Sequence, residues 1–210
     1  MPNQNYSSAD ITQMEFLEAI RKLPGMYIGD TAEHGLHHIL LEVVDNSIDE
    51  CQTGFASKIT VVIEKDGTIS VSDDGRGIPV EYKPDIECSA MTVVLTKPHA
   101  GGKFKKSNGD SAYSASGGLH GIGLKTVNAM SSFVVVTVKR HGLVFTQRFE
   151  NGGSKMTPVE IFDATKQKVG EINASTKLNL NKNGICESLT VDGKKVTVNP
   201  DPNQGTGTEI

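Results

Sequence analysis

The sequence predicts an α+β two-layer sandwich, a mixed and mostly antiparallel sheet with helices packed on one face. Three observations lead there. Residues 35–52, GLHHILLEVVDNSIDECQ, carry apolar side chains at Leu36, Ile39, Leu40, Val43, Val44 and Ile48, the broad stripe of a helix lying on a sheet. Residues 59–64 and 68–73 alternate as strands across Asp66-Gly67, a strong hairpin signal. Residues 133–139 and 143–149 repeat the pattern across His141-Gly142. A length of 210 residues suits one sizeable domain.

In chain order, residues 1–10 are polar and read as an arm that orders against something else. Apolar Ile11, Met14, Leu17 and Ile20 predict a helix over 11–23, stopped by Pro24-Gly25. Residues 26–29 read as a compact turn, and Thr31 is placed to cap the long helix. That helix carries a second stripe: His38, Glu42 and Asn46 stack at fours, followed by Asp49 and Glu50. Carboxylates and amides so near an apolar stripe need partners, which a ligand or metal ion supplies. The plainer reading is a solvated face.

After the first hairpin, residues 73–79 make a glycine-broken turn, and 87–97 read as helical. Residues 98–118 lack periodicity, and a loop so long inside a compact domain is a lid or a disordered segment. Its Lys103, Lys105 and Lys106 favour an anionic ligand or, more plainly, solvation. A helix follows over 121–129, then the second hairpin. Residues 151–204 thin into short β-prone pieces, with a hairpin at Val191-Asp192-Gly193-Lys194, and read as an insertion. A last strand opens within 205–210.

Composition removes several classes. A net charge of −4 argues against a nucleic-acid surface within these residues, since phosphate neutralisation needs clustered Lys and Arg. No apolar run approaches the roughly 20 residues of a membrane span. Cys51, Cys88 and Cys186 lie far apart without a CxxC, and read as free thiols of a reducing cytoplasm. His34 and His38 stand four apart like a metal pair, but no third ligand is evident.

Two glycine-marked sites carry chemistry. Asp73-x-Gly75-x-Gly77 leaves a strand, where a carboxylate can accept from the exocyclic amine of a base while glycines admit a flat ring. Gly117-Gly118-Leu119-His120-Gly121-Ile122-Gly123 opens a helix whose free N–H groups can hold phosphates. Gly118-x4-Gly123-Leu124-Lys125-Thr126 imitates a Walker A loop but has one residue too many before the lysine.

Together with Glu42-x3-Asn46 and Gly205-Thr206-Gly207-Thr208, these sites resemble the Bergerat ATP site of the GHKL superfamily. More narrowly, RKLPGMYIG (21–29), GLHHILLEVVDNSIDE (35–50), DDGRGIP (73–79), HAGGKF (99–104) and SGGLHGIG (116–123) resemble the N-terminal ATPase domain of bacterial type II topoisomerases. The gyrase B branch matches best and the topoisomerase IV branch nearly as well. Other readings in the superfamily are a nucleotide-binding module that does not hydrolyse and a histidine-kinase catalytic domain, which lacks a Glu42-type base.

The resemblance implies ATP and Mg²⁺ as ligands. It implies Glu42 as general base, His38 as its orienting partner and Asn46 as the Mg²⁺ ligand. Asp73 and Thr208 would meet adenine, and Lys103 with Leu119, His120, Gly121, Ile122 and Gly123 the triphosphate. Gly101, Gly102 and Tyr113 would belong to an ATP lid over 97–118. Glu50 would pair with Arg76 at the mouth beside Gly77, Ile78, Pro79 and Arg140. Val43, Ile78, Val94, Leu124 and Ile210 would form an apolar floor. Ser114 stands where the family's lid has lysine, and Leu23 where it has arginine. For the whole protein the resemblance implies homodimerisation, a gyrase A-type cleavage subunit, DNA bound outside this segment, and aminocoumarin-type pocket inhibitors. A following transducer domain, expected to lie beyond these residues, would supply a lysine to the γ-phosphate. A mainly monomeric segment that binds nucleotide and turns it over slowly is the corresponding expectation.

Overall fold

The computed structural model describes residues 14–100 and 121–210. Helix α1 (Phe16–Lys22) begins later than the apolar spacing over 11–23 implies, because Glu15 is extended and serves as its N-cap. Residues 26–29 are not a simple turn. Pro24, already helical, leads into the single helical turn α2 (Gly25–Ile28). Helix α3 (Glu33–Gln52) starts two residues before Gly35, with Ala32 as N-cap. Thr31 therefore does not cap it; Asp30 Oδ1 instead accepts from the Ala32 N–H at 3.0 Å.

Strands β1 (Ile59–Ile63) and β2 (Ile69–Asp73) pair from Ile63 opposite Ile69 to Ile59 opposite Asp73. The helix expected over 87–97 is shorter, because Cys88 and Ser89 belong to a ribbon, β3 (Tyr82–Lys83) against β4 (Cys88–Ser89). Only then does α4 (Ala90–Thr96) begin, with Ser89 Oγ accepting from the Thr92 N–H at 3.0 Å. Helix α5 (Gly123–Met130) follows two residues after its expected start.

Strands β5 (Phe133–Arg140) and β6 (Leu143–Glu150) form the long second hairpin. Val134, Val136 and Val138 alternate with less buried residues, and Phe149, Gln147 and Phe145 face them across the ladder. That buried face receives Val43 of α3, Met91 and Leu95 of α4, and Leu124 and Val127 of α5 in one apolar cluster.

The residues after 150 build onto the same core. Strands β7 (Lys155–Met156), β8 (Val159–Phe162) and β9 (Lys168–Ile172) extend the large sheet. A second sheet, β10 (Lys177–Leu180), β11 (Cys186–Val191) and β12 (Lys194–Thr197), packs Leu189 and Val191 against Gly170 of β9. Its β11–β12 turn falls at Asp192-Gly193, both at positive φ, as the hairpin signal there predicts. The last strand in sequence, β13 (Gly207–Glu209), lies between β2 and β5. The sheet order is β1-β2-β13-β5-β6-β8-β9, with β7 beside β6, and every pairing among the described residues is antiparallel.

Candidate functional site

Between α3, the start of α5 and the β2–β13–β5 face lies a cleft of about 990 Å³, ample for a nucleotide-sized ligand. It gathers His38, Glu42, Asn46, Glu50, Asp73, Arg76, Gly77, Ile78, Pro79, Gly121, Ile122, Gly123, Arg140 and Thr208, residues from separate stretches of sequence. The apolar residues expected beneath them, Val43, Val94, Leu124 and Ile210, line it too. Lys103, Gly101, Gly102, Tyr113, Leu119 and His120 lie outside the described residues.

The polar column on α3 forms because residues four apart stack. His38 Nε2 stands 3.3 Å from Glu42 Oε1. The Asn46 amide N–H donates to the Glu42 carbonyl oxygen, which turns Oδ1 into the atom available to a cation. Glu42 presses against the start of α5: a Cβ on Gly123 would collide with Glu42 Oε2. A carboxylate therefore sits at a helix N-terminus, where the dipole favours negative charge.

On the cleft's other side, Asp73 ends β2. Its Oδ1 accepts from the Gly75 N–H at 2.9 Å and its Oδ2 from Ser47 Oγ at 3.0 Å. Thr208, its register partner on β13, accepts the Ile78 N–H through Oγ1 at 3.2 Å. Burial pushes the Asp73 carboxyl above its ordinary 3.8; the Gly75 and Ser47 hydrogen bonds pull it back, and Glu50's charge pushes with burial. A carboxyl whose pKa rises on folding destabilises the folded state when ionised. That cost is absent below 3.8, grows through the raised value, and is complete at pH 7. Asp73→Asn in ligand-free protein is thus expected to raise the melting temperature at pH 7 and to leave it unchanged at about pH 3. Calorimetry at the two pH values checks this, and equal changes at both would remove the burial argument.

Asp74 points the other way. Its carboxylate accepts from Ser57 Oγ at 2.6 Å, the Ser57 N–H at 2.7 Å and the Lys58 N–H at 2.8 Å, and Ser57 first among these lowers it to about 2. It fastens the loop to β1 and leaves the cleft to Asp73.

The mouth is braced. Arg76 forms a fork with Glu50, Nη2 to Oε1 at 2.7 Å and Nε to Oε2 at 3.0 Å, while its guanidinium lies 3.8 Å over the Phe55 ring. So exposed an ion pair stabilises the fold by about 0–1 kcal/mol, and its effect is to fix the wall. Arg140 Nη1 donates to the Gly77 carbonyl at 3.0 Å.

Sequence reasoning missed Ser47, Gln204 and the run Asn183, Gly184 and Ile185, all of which line the cleft. A hydroxyl at Ser47, one residue past Asn46 and four past Val43, was a readable signal. The run at 183–185 has no local signal, since its place depends on the Cys186 N–H donating to the His141 carbonyl at 3.0 Å.

Residues 31–210 match the family model described as histidine kinase-, DNA gyrase B-, and HSP90-like ATPase. The chain is 54% identical over 155 residues to the DNA gyrase B protein of Treponema pallidum, covering 74% of this chain and 24% of the relative. It is 50% identical over 162 residues to the DNA gyrase B protein of Staphylococcus epidermidis, covering 77% of this chain and 25% of the relative. To that of Thermotoga maritima it is 47% identical over 162 residues, with the same coverage. The chain thus spans about a quarter of the length of these curated relatives. On the match over 31–210, the chain belongs to the histidine kinase-, DNA gyrase B- and HSP90-like ATPase family.

Proposed function

We propose that residues 1–210 form the ATP-binding and ATP-hydrolysing domain of a gyrase B-type component of a cytoplasmic type II DNA topoisomerase. The observation that carries this reading is a single cleft with Asp73 held open by Ser47 and Gly75 on one side and Glu42 at a helix N-terminus on the other. Asp73 accepts from the adenine amino group and Thr208 completes that contact, over the floor of Val43, Ile78, Val94, Leu124 and Ile210. The first N–H groups of α5, with Gly121, Ile122 and Gly123, hold phosphates. On the family resemblance Lys103, Leu119 and His120 join them at the triphosphate, and Gly101, Gly102 and Tyr113 belong to the same nucleotide site.

Among the described residues no three His, Cys, Asp or Glu gather as a metal site. Mg²⁺ needs no such cage, because it keeps several waters and takes one or two protein oxygens beside the phosphates. Asn46 Oδ1 fits that requirement, and the ion would neutralise phosphate charge. Glu42 accepts a proton from the attacking water as the water oxygen bonds to the γ-phosphorus and ADP departs, with His38 orienting the carboxylate. In the whole protein, nucleotide-driven homodimer closure works with a gyrase A-type cleavage subunit to pass DNA strands. Aminocoumarin-type inhibitors compete for the cleft. No helix among the described residues is long and apolar enough to cross a membrane.

Calorimetric titration with Mg²⁺ and a non-hydrolysable ATP analogue tests the site. Wild type is expected to bind. Asp73→Asn is expected to weaken binding about 10–100-fold, since a hydrogen bond to a charged group contributes about 1.5–3 kcal/mol. Absence of binding by wild type would end the reading. Phosphate release without phosphotransfer separates hydrolysis from kinase chemistry.

A further inference from the structure

The segment joining β10 to β11 reaches the cleft through Asn183, Gly184 and Ile185. It is a stiff turn. Asn181 Oδ1 accepts from the N–H groups of Asn183 at 2.9 Å and Ile185 at 3.1 Å, and the Asn181 N–H donates to the Ile185 carbonyl at 2.9 Å. From this turn a line of hydrogen bonds runs to the far wall. The Gly184 carbonyl lies 2.8 Å from His141 Nδ1, and His141 Nε2 accepts from Arg140 Nε at 3.2 Å. An accepting Nε2 leaves the ring proton on Nδ1, where the Gly184 carbonyl needs a donor, so both bonds require one neutral tautomer. Arg140 then donates through Nη1 to the Gly77 carbonyl at 3.0 Å. Glu81 stands beside this line, its Oε1 3.7 Å from His141 Nε2 and its Oε2 accepting the Val80 N–H at 3.1 Å; His141 first, and the charge of Arg140 as well, hold its carboxyl down at about 2.

We propose that His141 is a positioning residue, pinned by the β10–β11 turn through Gly184, that holds the Arg140 guanidinium in its ligand-facing orientation at the cleft mouth. The proposal rests on the nucleotide-site reading above. Residues 177–197 thereby tune the affinity of a site formed by distant parts of the chain. Without the acceptor at Nε2, Arg140 keeps the Gly77 carbonyl and the attraction of the Glu81 carboxylate but loses the contact that fixes its Nε, and the ligand must supply that order.

Two variants divide the ring's functions. In His141→Gln the amide oxygen reaches the place of Nε2 and still accepts from Arg140, but the turn tether is lost. In His141→Asn the amide nitrogen takes the place of Nδ1 and keeps the tether, the left-handed backbone at φ 58° is better satisfied, and Arg140 loses its acceptor. Each is titrated calorimetrically with Mg²⁺ and a non-hydrolysable ATP analogue, and melted without ligand. The expected result is a Gln variant within about twofold of wild type in Kd and an Asn variant about three- to tenfold weaker, the scale of ordering one long side chain, although Asn melts higher. An Asn variant that binds no more weakly than the Gln variant overturns the proposal, because affinity would then follow stability. Wild type that binds no nucleotide removes the site reading itself, and the positioning role with it.

Discussion

Glu42→Ala is expected to lower ATP turnover by about 10²–10⁴-fold, the usual contribution of a positioned general base, while nucleotide Kd changes less than about threefold. The separation follows from where Glu42 sits. Its Oε1 is 3.3 Å from His38 Nε2, and its Oε2 lies against Gly123, at the end of the cleft where α5 begins. Asp73, proposed above to recognise the base, is on another element and is held by Ser47 and Gly75. A carboxylate near a helix N-terminus also stabilises that helix, but only by about 0.3–1 kcal/mol, too little to unfold the domain. Phosphate-release rates at saturating nucleotide, set beside calorimetric Kd values for the same variant, decide the matter. Parallel losses in both would make Glu42 a binding residue rather than a base.

The largest effect on stability is expected at Gly207. Its φ of 154° is unfavourable for any side chain, and a Cβ there would collide with the Asp73 carbonyl oxygen. Relief means separating β13 from β2, where Thr208 pairs with Asp73. Backbone strain of about 1–3 kcal/mol adds to lost pairing, so Gly207→Ala should cost on the order of 4 kcal/mol. For a domain of this size that is a drop of about 8–16 °C in melting temperature. Gly205, two residues earlier, has open space around it, and Gly205→Ala should shift the melting point by no more than about 2 °C. Thermal melts of the two variants side by side test the collision, and similar shifts would refute it.

Much of this was legible in the sequence because the signals were local. Both long hairpins carry their turns within the motif, and the column His38, Glu42, Asn46 needs only helical periodicity. Residues 87–97 misled because Cys88 and Ser89 are as compatible with a helix as with a strand, and pairing with Tyr82 and Lys83 decided between them. Thr31 looked like a cap because its hydroxyl suits the role, but Asp30 took the neighbouring N–H first. The architecture of 151–204 was out of reach for another reason. Its short strands gain their partners from β6 and from the His141-Gly142 turn, contacts that no window of sequence contains. Ser47 shows the opposite failure: its hydroxyl on an apolar stripe is a signal the sequence displays, but the partner that gives it meaning, Asp73, is 26 residues away.

The place of β13 has a consequence for synthesis on the ribosome. The β1–β2 hairpin and the β5–β6 hairpin can each close as soon as they emerge, yet within the sheet they are joined by the strand at 207–209. Between the end of β6 and that strand lie 56 residues, which at about 5–20 residues per second is on the order of 3–11 s of translation. Throughout that interval the Asp73 edge of one hairpin and the Val138 edge of the other present unpaired backbone groups. Nascent chains halted between residues 151 and 204 should therefore carry two native-like halves with no joined sheet. They are the species on which chaperones and proteases have longest to act.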